Sequence, residues 1–179
     1  MTKALYFGSF NPLHIGHIAI ANYVLEFTEA DTLVFVVTPA NPLKDPGALE
    51  ANKTSRLENL RKAVAKSGLN IEVSNIEFEM EPPYYTYKTL QEFRKREPEN
   101  EFVLIIGADN LALFKKWYKT REILSEFKVW VYPRAGYEVT ELAAEYGVRL
   151  LDAPIIEISS TMIREGEAAG KNMNGFRYQ

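Results

Sequence analysis

Apolar positions along the chain fall into two patterns. Some form short unbroken runs and others recur at helical spacing. Lys3 to Phe7 is a short β-rich run that meets Gly8 at once, a strand entering a tight turn. Ile15 to Phe27 then places Ile18, Ala21, Tyr23, Val24 and Leu25 near helical spacing. Leu33 to Val37 is a continuous branched and aromatic run, the pattern of a strand buried on both faces. Pro39, Pro42, Pro46 and Gly47 mark a loop.

The same alternation continues downstream. Thr54 or Ser55 is placed to cap a helix running to Lys66, with Gly68 at its stop. Ile71 to Val73 predicts a strand, Tyr87 to Arg96 a helix, and Phe102 to Ile106 a central strand ending at Gly107. Lys128 to Tyr132 predicts a strand and Thr140 to Tyr146 a short helix. Ile155 to Ile158 predicts a last strand, and Ser160 to Ala169 a closing helix. Strand–helix alternation of this kind predicts an α/β fold, a Rossmann-like doubly wound parallel sheet with helices on both faces. Ligands of such sheets bind beyond the carboxyl ends of the strands, where strand order reverses. The loops after Phe7, Val37, Ile106 and Ile158 are therefore the places to look.

Length and composition narrow the picture. The 179 residues predict one domain, 1–179. With 21 basic and 24 acidic side chains, the net charge of −3 gives no basic excess for nucleic acid. Cysteine is absent, which excludes a disulfide framework, a thiolate nucleophile and a Cys-ligated metal. No apolar stretch approaches the ~20 residues of a membrane span, and the start does not read as a signal peptide. A cytoplasmic protein is expected; its oligomeric state is left open.

The first loop carries the chemistry. Gly8-Ser9-Phe10-Asn11-Pro12 leads into His14-Ile15-Gly16-His17 at the start of the first predicted helix. Gly8 permits a sharp turn, and a helix start offers unpaired N–H groups to a phosphate. His14 and His17 would share one helix face. Gly16 removes bulk where a nucleotide could pack. These are the only two histidines in the chain, and chance would put them this close roughly one time in thirty. Taken alone, the pair also fits one loop-capping and one core histidine. Two histidines without a third His or a Cys do not complete a transition-metal site. Neither a dinucleotide-binding fingerprint nor a Walker loop is present here.

A second cluster lies about 150 residues downstream. Ile158-Ser159-Ser160 ends an apolar run in a hydroxyl pair able to cap a helix, and Arg164 follows in its first turns. Arginine there opposes the helix dipole, a conflict that an anionic ligand would offset; taken alone, the cluster also fits a serine cap followed by an ordinary surface arginine.

The loop from Gly8 to His17 resembles the H-x-G-H signature of the nucleotidylyltransferase superfamily, and Ile158 to Arg164 resembles its I-S-S-T-x-I-R motif. Further likenesses point to the bacterial nicotinate-mononucleotide adenylyltransferase branch. They are Lys44 in the loop after the second strand, Arg56-Leu57, Tyr85-Thr86 with Thr89-Leu90, Ile106-Gly107-Ala108-Asp109, Trp117, and Arg134 in an R-x-G element. The likeness covers nearly the whole chain. Asn11, Ser9 and Tyr84 stand where the family more often has Asp, Gly and Ser. Relatives usually continue beyond Gln179 into a final helix.

The resemblance implies transfer of AMP from ATP to nicotinate mononucleotide, giving deamido-NAD and pyrophosphate. It implies that His14, His17 and Arg164 are catalytic. It implies that Gly8, Ser9, Phe10, Gly107, Asp109, Ile158, Ser159 and Ser160 bind ATP. Lys44, Thr86, Trp117 and Arg134 would hold the acceptor, with Lys44 on its phosphate side, and Mg²⁺ would accompany ATP. Read singly, Trp117 also fits a core edge, Asp109 a helix cap and Lys44 a solvated lysine. The alternatives are a phosphopantetheine or nicotinamide-mononucleotide adenylyltransferase, or a nucleotide sensor without turnover.

Overall fold

The computed structural model describes residues 1–39 and 53–179. Lys44 and Pro42 of the expected phosphate loop lie outside the described residues. Six parallel strands form one sheet: β1 (Thr2–Gly8), β2 (Thr32–Val37), β3 (Ile71–Ser74), β4 (Glu101–Gly107), β5 (Lys128–Tyr132) and β6 (Arg149–Leu150), in the spatial order β3-β2-β1-β4-β5-β6. The order reverses between β1 and β4, so their carboxyl ends, Gly8 and Gly107, open the crevice where such sheets bind ligands.

Alternate residues of each strand feed two cores. Ala4, Tyr6, Leu33, Phe35, Val103 and Ile105 pack on one face with α1 (Ile15–Phe27) and α2 (Lys53–Ser67). Leu5, Val34, Val36, Leu104 and Ile106 pack on the other with α3 (Thr86–Arg96), α4 (Ala108–Ala112), α5 (Thr120–Glu126) and α6 (Thr140–Tyr146). Every residue of β2 is buried, as its unbroken apolar run requires. Each fully buried aliphatic side chain contributes about 1.5–3 kcal/mol. Leu5 and Leu104, side by side in the register and both at 0% exposure, anchor the strands that present the crevice.

The structure differs from the sequence reading at the far edge. Ile155 to Ile158 was expected as a strand, but this segment forms no strand, and the sheet ends at Arg149–Leu150. Pro154 lacks the donor that a ladder needs, and Ile155 is 58% exposed, so nothing holds the run in the sheet. The segment instead leads directly into α7 (Ser160–Ala168). The closing residues return to the first loop. Arg177 bridges to His14, and the Tyr178 N–H donates to the Leu13 carbonyl at 3.2 Å. Among the described residues, no helix is long and apolar enough to cross a membrane.

Candidate active site

The first loop is built to present two imidazoles. His14 is the N-cap of α1, and its Nδ1 accepts from the Gly16 N–H at 3.1 Å. His17, one turn in, returns the favour: its Nδ1 accepts from the His14 N–H at 3.2 Å. This is a capping box made by two histidines in place of the usual hydroxyl and carboxamide. An accepting nitrogen carries no proton, so each neutral ring keeps its proton on Nε2 as a donor. The rings stack at 3.6 Å between centroids.

Both rings are neutral near pH 7. Burial, and then the Arg134 guanidinium, lower the His14 pKa to about 4. Burial, then the His14 ring and Arg134, hold His17 well below the usual range. Two adjacent imidazolium ions would repel each other; two neutral Nε2–H donors do not.

The fold around them explains the small residues. A Cβ at Gly16 would lie 2.9 Å from the His14 ring and 3.0 Å from Ile156. Gly16 therefore makes room for the neighbouring imidazole and the segment before α7, a different reason from space for a nucleotide. A Cβ at Gly8 would press at 3.2 Å on the Phe10 ring. Phe10 takes a left-handed φ of 47° and is buried, edge-on to His17 at 5.0 Å and against Phe35 at 4.6 Å. Its side chain is thus a floor under His17.

A cavity of about 140 Å³ opens over these rings. His14, His17, Arg134, Ser159 and Ser160 line it, with Tyr6, Tyr132, Ile156 and Ile158 on its walls. The two ends of the chain therefore meet at one site. This volume is below the ~300 Å³ of a typical small-molecule pocket and suits one part of a nucleotide. A larger groove of about 760 Å³ lies at the amino ends of β4 to β6, away from every candidate residue. Its charges are matched within it, Lys128 with Glu101 at 2.7 Å and Arg149 with Glu29 at 2.6 Å. Chemistry and sheet topology both favour the smaller cavity.

The downstream cluster acts on the first loop as well as on the cavity. Ser159 caps α7, accepting from the Met162 N–H at 3.1 Å. The Ser160 hydroxyl donates to the Pro12 carbonyl at 2.9 Å, and Arg164 donates to the Asn11 carbonyl and to Thr161 Oγ1. From the other side Arg56, 9% exposed, donates to the Ser9 carbonyl at 3.1 Å and to the Thr38 carbonyl at 3.3 Å. The loop from Ser9 to Pro12 is thus clamped by two guanidinium groups and a hydroxyl.

The remaining candidates sit on two flanks. Asp109 lies in the first turn of α4, with its Oδ1 buried and without a hydrogen-bond partner, and Arg134 Nε lies 3.9 Å away. A Cβ at Gly107 would overlap that carboxylate at 2.4 Å and press on the Tyr132 ring at 3.0 Å, so glycine here lets Asp109 keep its place. Arg134 belongs with the histidines; Thr86 and Trp117 do not line their cavity. Thr86 is the first residue of α3, and Trp117 packs edge-on to Phe114 at 5.0 Å. Their chain neighbours Tyr85 and Tyr118 stack at 4.4 Å, which brings the two segments together. Sequence reading missed Tyr6, Tyr132 and Ile156 as walls of the cavity. Tyr6 and Tyr132 sit at strand ends beside motif residues, a position that is the only available signal for them.

Comparison with known proteins agrees with this geometry. The cytidylyltransferase-like family model matches residues 5–166. A Bacteroides fragilis protein named "Probable nicotinate-nucleotide adenylyltransferase" is 43% identical over 172 residues, covering 96% of this chain and 85% of its own. A Flavobacterium johnsoniae protein of the same name is 41% identical, covering 97% of this chain and 90% of its own. The solved Plasmodium falciparum nicotinic acid mononucleotide adenylyltransferase complexed with NaAD has a TM-score of 0.71 at 16% identity, covering 97% of this chain and 87% of that one, a likeness of fold. The chain is a member of the cytidylyltransferase-like family and, within it, of the nicotinate-nucleotide adenylyltransferases.

Proposed function

We propose that the whole chain acts as one nucleotidyltransferase domain in the cytoplasm. It transfers AMP from ATP to nicotinate mononucleotide, giving deamido-NAD and pyrophosphate. The observation that carries this reading is the shared cavity of His14, His17, Ser159, Ser160 and Arg134 at the sheet's switch point. It gathers neutral N–H donors, hydroxyls and a guanidinium, a set suited to phosphate.

An oxygen of the acceptor's phosphate attacks the α-phosphorus of ATP. The bond from that phosphorus to the α,β-bridging oxygen breaks, and pyrophosphate leaves with its electron pair. The attacking oxygen is already anionic at neutral pH, so no side chain needs to remove a proton. What the protein supplies is alignment and charge stabilisation. His14 and His17 would donate Nε2–H to the triphosphate, with His17 nearest the α-phosphate. Ser160 would hold the departing pyrophosphate end. Arg164 would brace the loop and, on release from Asn11, reach the same phosphates. Asp109 and Gly107 would border the nucleotide ribose, the half-exposed Asp109 carboxylate accepting from its hydroxyls. Thr86 and Trp117 would hold the acceptor.

Among the described residues, no three His, Asp or Glu side chains are grouped as metal ligands. A Mg²⁺ entering with ATP would be held by phosphate oxygens and water, and it is assigned no protein cage. Incubation with ATP, Mg²⁺ and each acceptor in turn tests the reading. Deamido-NAD and pyrophosphate should form fastest with nicotinate mononucleotide. Preference for phosphopantetheine or nicotinamide mononucleotide would replace the acceptor. ATP binding without pyrophosphate from any acceptor would make the chain a sensor.

A further inference from the structure

One buried carboxyl stands outside the chemistry described above. Glu77, in the 3₁₀ turn Ile76–Glu79, is 2% exposed. Its Oε1 accepts from the Thr89 hydroxyl at 2.8 Å, while Oε2 is buried without a hydrogen bond. Thr89, itself fully buried, lies in the first turn of α3, the turn that begins with Thr86. The Thr89 hydroxyl has a second acceptor within reach, the Tyr85 carbonyl at 3.4 Å. A hydroxyl has one proton and donates to one of the two at a time.

The carboxyl also faces the other side of the site. Thr38, at the end of β2, reaches toward it. The Thr38 N–H donates to the Gly8 carbonyl at 3.0 Å, and its carbonyl accepts from Arg56. Glu77 thus stands between the phosphate loop and the start of α3. Among the described residues, no charged side chain contributes to its environment. Arg56 is engaged by the carbonyls of Ser9, Thr38 and Pro39. Glu79 of the same turn is exposed and paired with Arg96 at 2.7 Å.

We propose that Glu77 is a positioning residue for the acceptor end of α3, acting through the Thr89 hydroxyl. When protonated, Glu77 donates to Thr89 Oγ1, and the Thr89 proton turns to the Tyr85 carbonyl and fixes the first turn. When ionised, having released its proton to solvent, it takes the Thr89 proton for itself. The Tyr85 carbonyl then loses its side-chain donor, and the first turn of α3, where the acceptor is received, is held less firmly. Burial raises the Glu77 pKa to about 7, against the lowering by Thr89 and Thr38, so both forms are populated in the neutral range.

This inference rests on the acceptor reading above. Its test is the pH dependence of the two KM values, followed by pyrophosphate release from ATP and nicotinate mononucleotide between pH 6 and 8.5. In the wild type, the acceptor KM should rise about three- to ten-fold as pH passes 7, the worth of one hydrogen bond lost from the helix start, with no matching break in the ATP KM. The acceptor's own phosphate titrates identically for every variant, so the difference between variants is the readout. Glu77→Gln should hold the low-pH acceptor KM throughout, with kcat moving less than KM. Thr89→Ser should keep the break and Thr89→Val should lose it. A Glu77→Gln or Thr89→Val profile parallel to the wild type overturns the positioning role. Absence of any product from the wild-type protein would instead overturn the acceptor reading, and the proposal with it.

Discussion

The phosphate end and the acceptor end of this site are built differently. At the phosphate end, each imidazole accepts a backbone N–H, the rings stack, and two arginines and a serine hold the loop that carries them. At the acceptor end, Thr86 is half-buried, and Tyr85 and Tyr118 are each 40% exposed in an open stack. The first arrangement costs little reorganisation when charge develops on a phosphate, which is where preorganised donors are most effective. The second is suited to a flat ring that arrives, stacks and leaves. The contrast teaches that loss at one end should appear in turnover, and loss at the other in the acceptor's KM.

His17→Ala tests the first half most severely. Removing one donor to the developing charge should lower kcat by about 10²–10³-fold with near-native circular dichroism. Turnover like that of the wild type would remove His17 from its assigned role.

Next in size is an effect on stability. His14 has a folded-state pKa of about 4 against 6.5 for the ordinary group. Between those values the unfolded chain holds a proton that the folded chain does not. Stability is therefore full above pH 6.5 and is lost as pH falls toward 4, by about 3 kcal/mol from this group. Denaturant titrations in that window should show the slope. His14→Asn, whose side-chain oxygen can still accept from the Gly16 N–H, should reduce it.

Arg164→Ala, which frees the Asn11 carbonyl, should cost about ten-fold or more in kcat/KM for ATP, the worth of a charge-assisted hydrogen bond. An equal loss for the acceptor alone would place Arg164 at the wrong end. Smallest is Trp117→Ala, which should raise the acceptor KM several-fold and leave the ATP KM nearly unchanged. Because Trp117 also packs on Phe114, its melting temperature must be followed in parallel.

The sequence makes the phosphate end readable because its residues are close along the chain and chemically unusual. Two histidines three residues apart at a predicted helix start need only local geometry to be interpreted. The clamp on that loop was not readable in the same way. Arg164 reaches Asn11 across 153 residues, and Arg56 reaches Ser9 across 47. Such pairs follow from strand order, which periodicity alone does not supply. Ile155 to Ile158 misled because apolar runs signal strands only where they pair, and this one follows Pro154 and lies outside the sheet. The short helices α4 and α5 lacked enough turns to show a period. Glu77 was silent because it is one of three glutamates, with Glu79 and Glu81, that alternate with apolar residues, and the sequence does not mark which of them is buried.

A crystal structure with ATP and Mg²⁺ bound tests the central claim most directly. Nε2 of His14 and of His17 should lie within hydrogen-bond distance of phosphate oxygens, and Ser160 or Arg164 should reach the same triphosphate from the other end of the chain. Phosphates seated elsewhere, or touched by only one of the two clusters, would contradict the account.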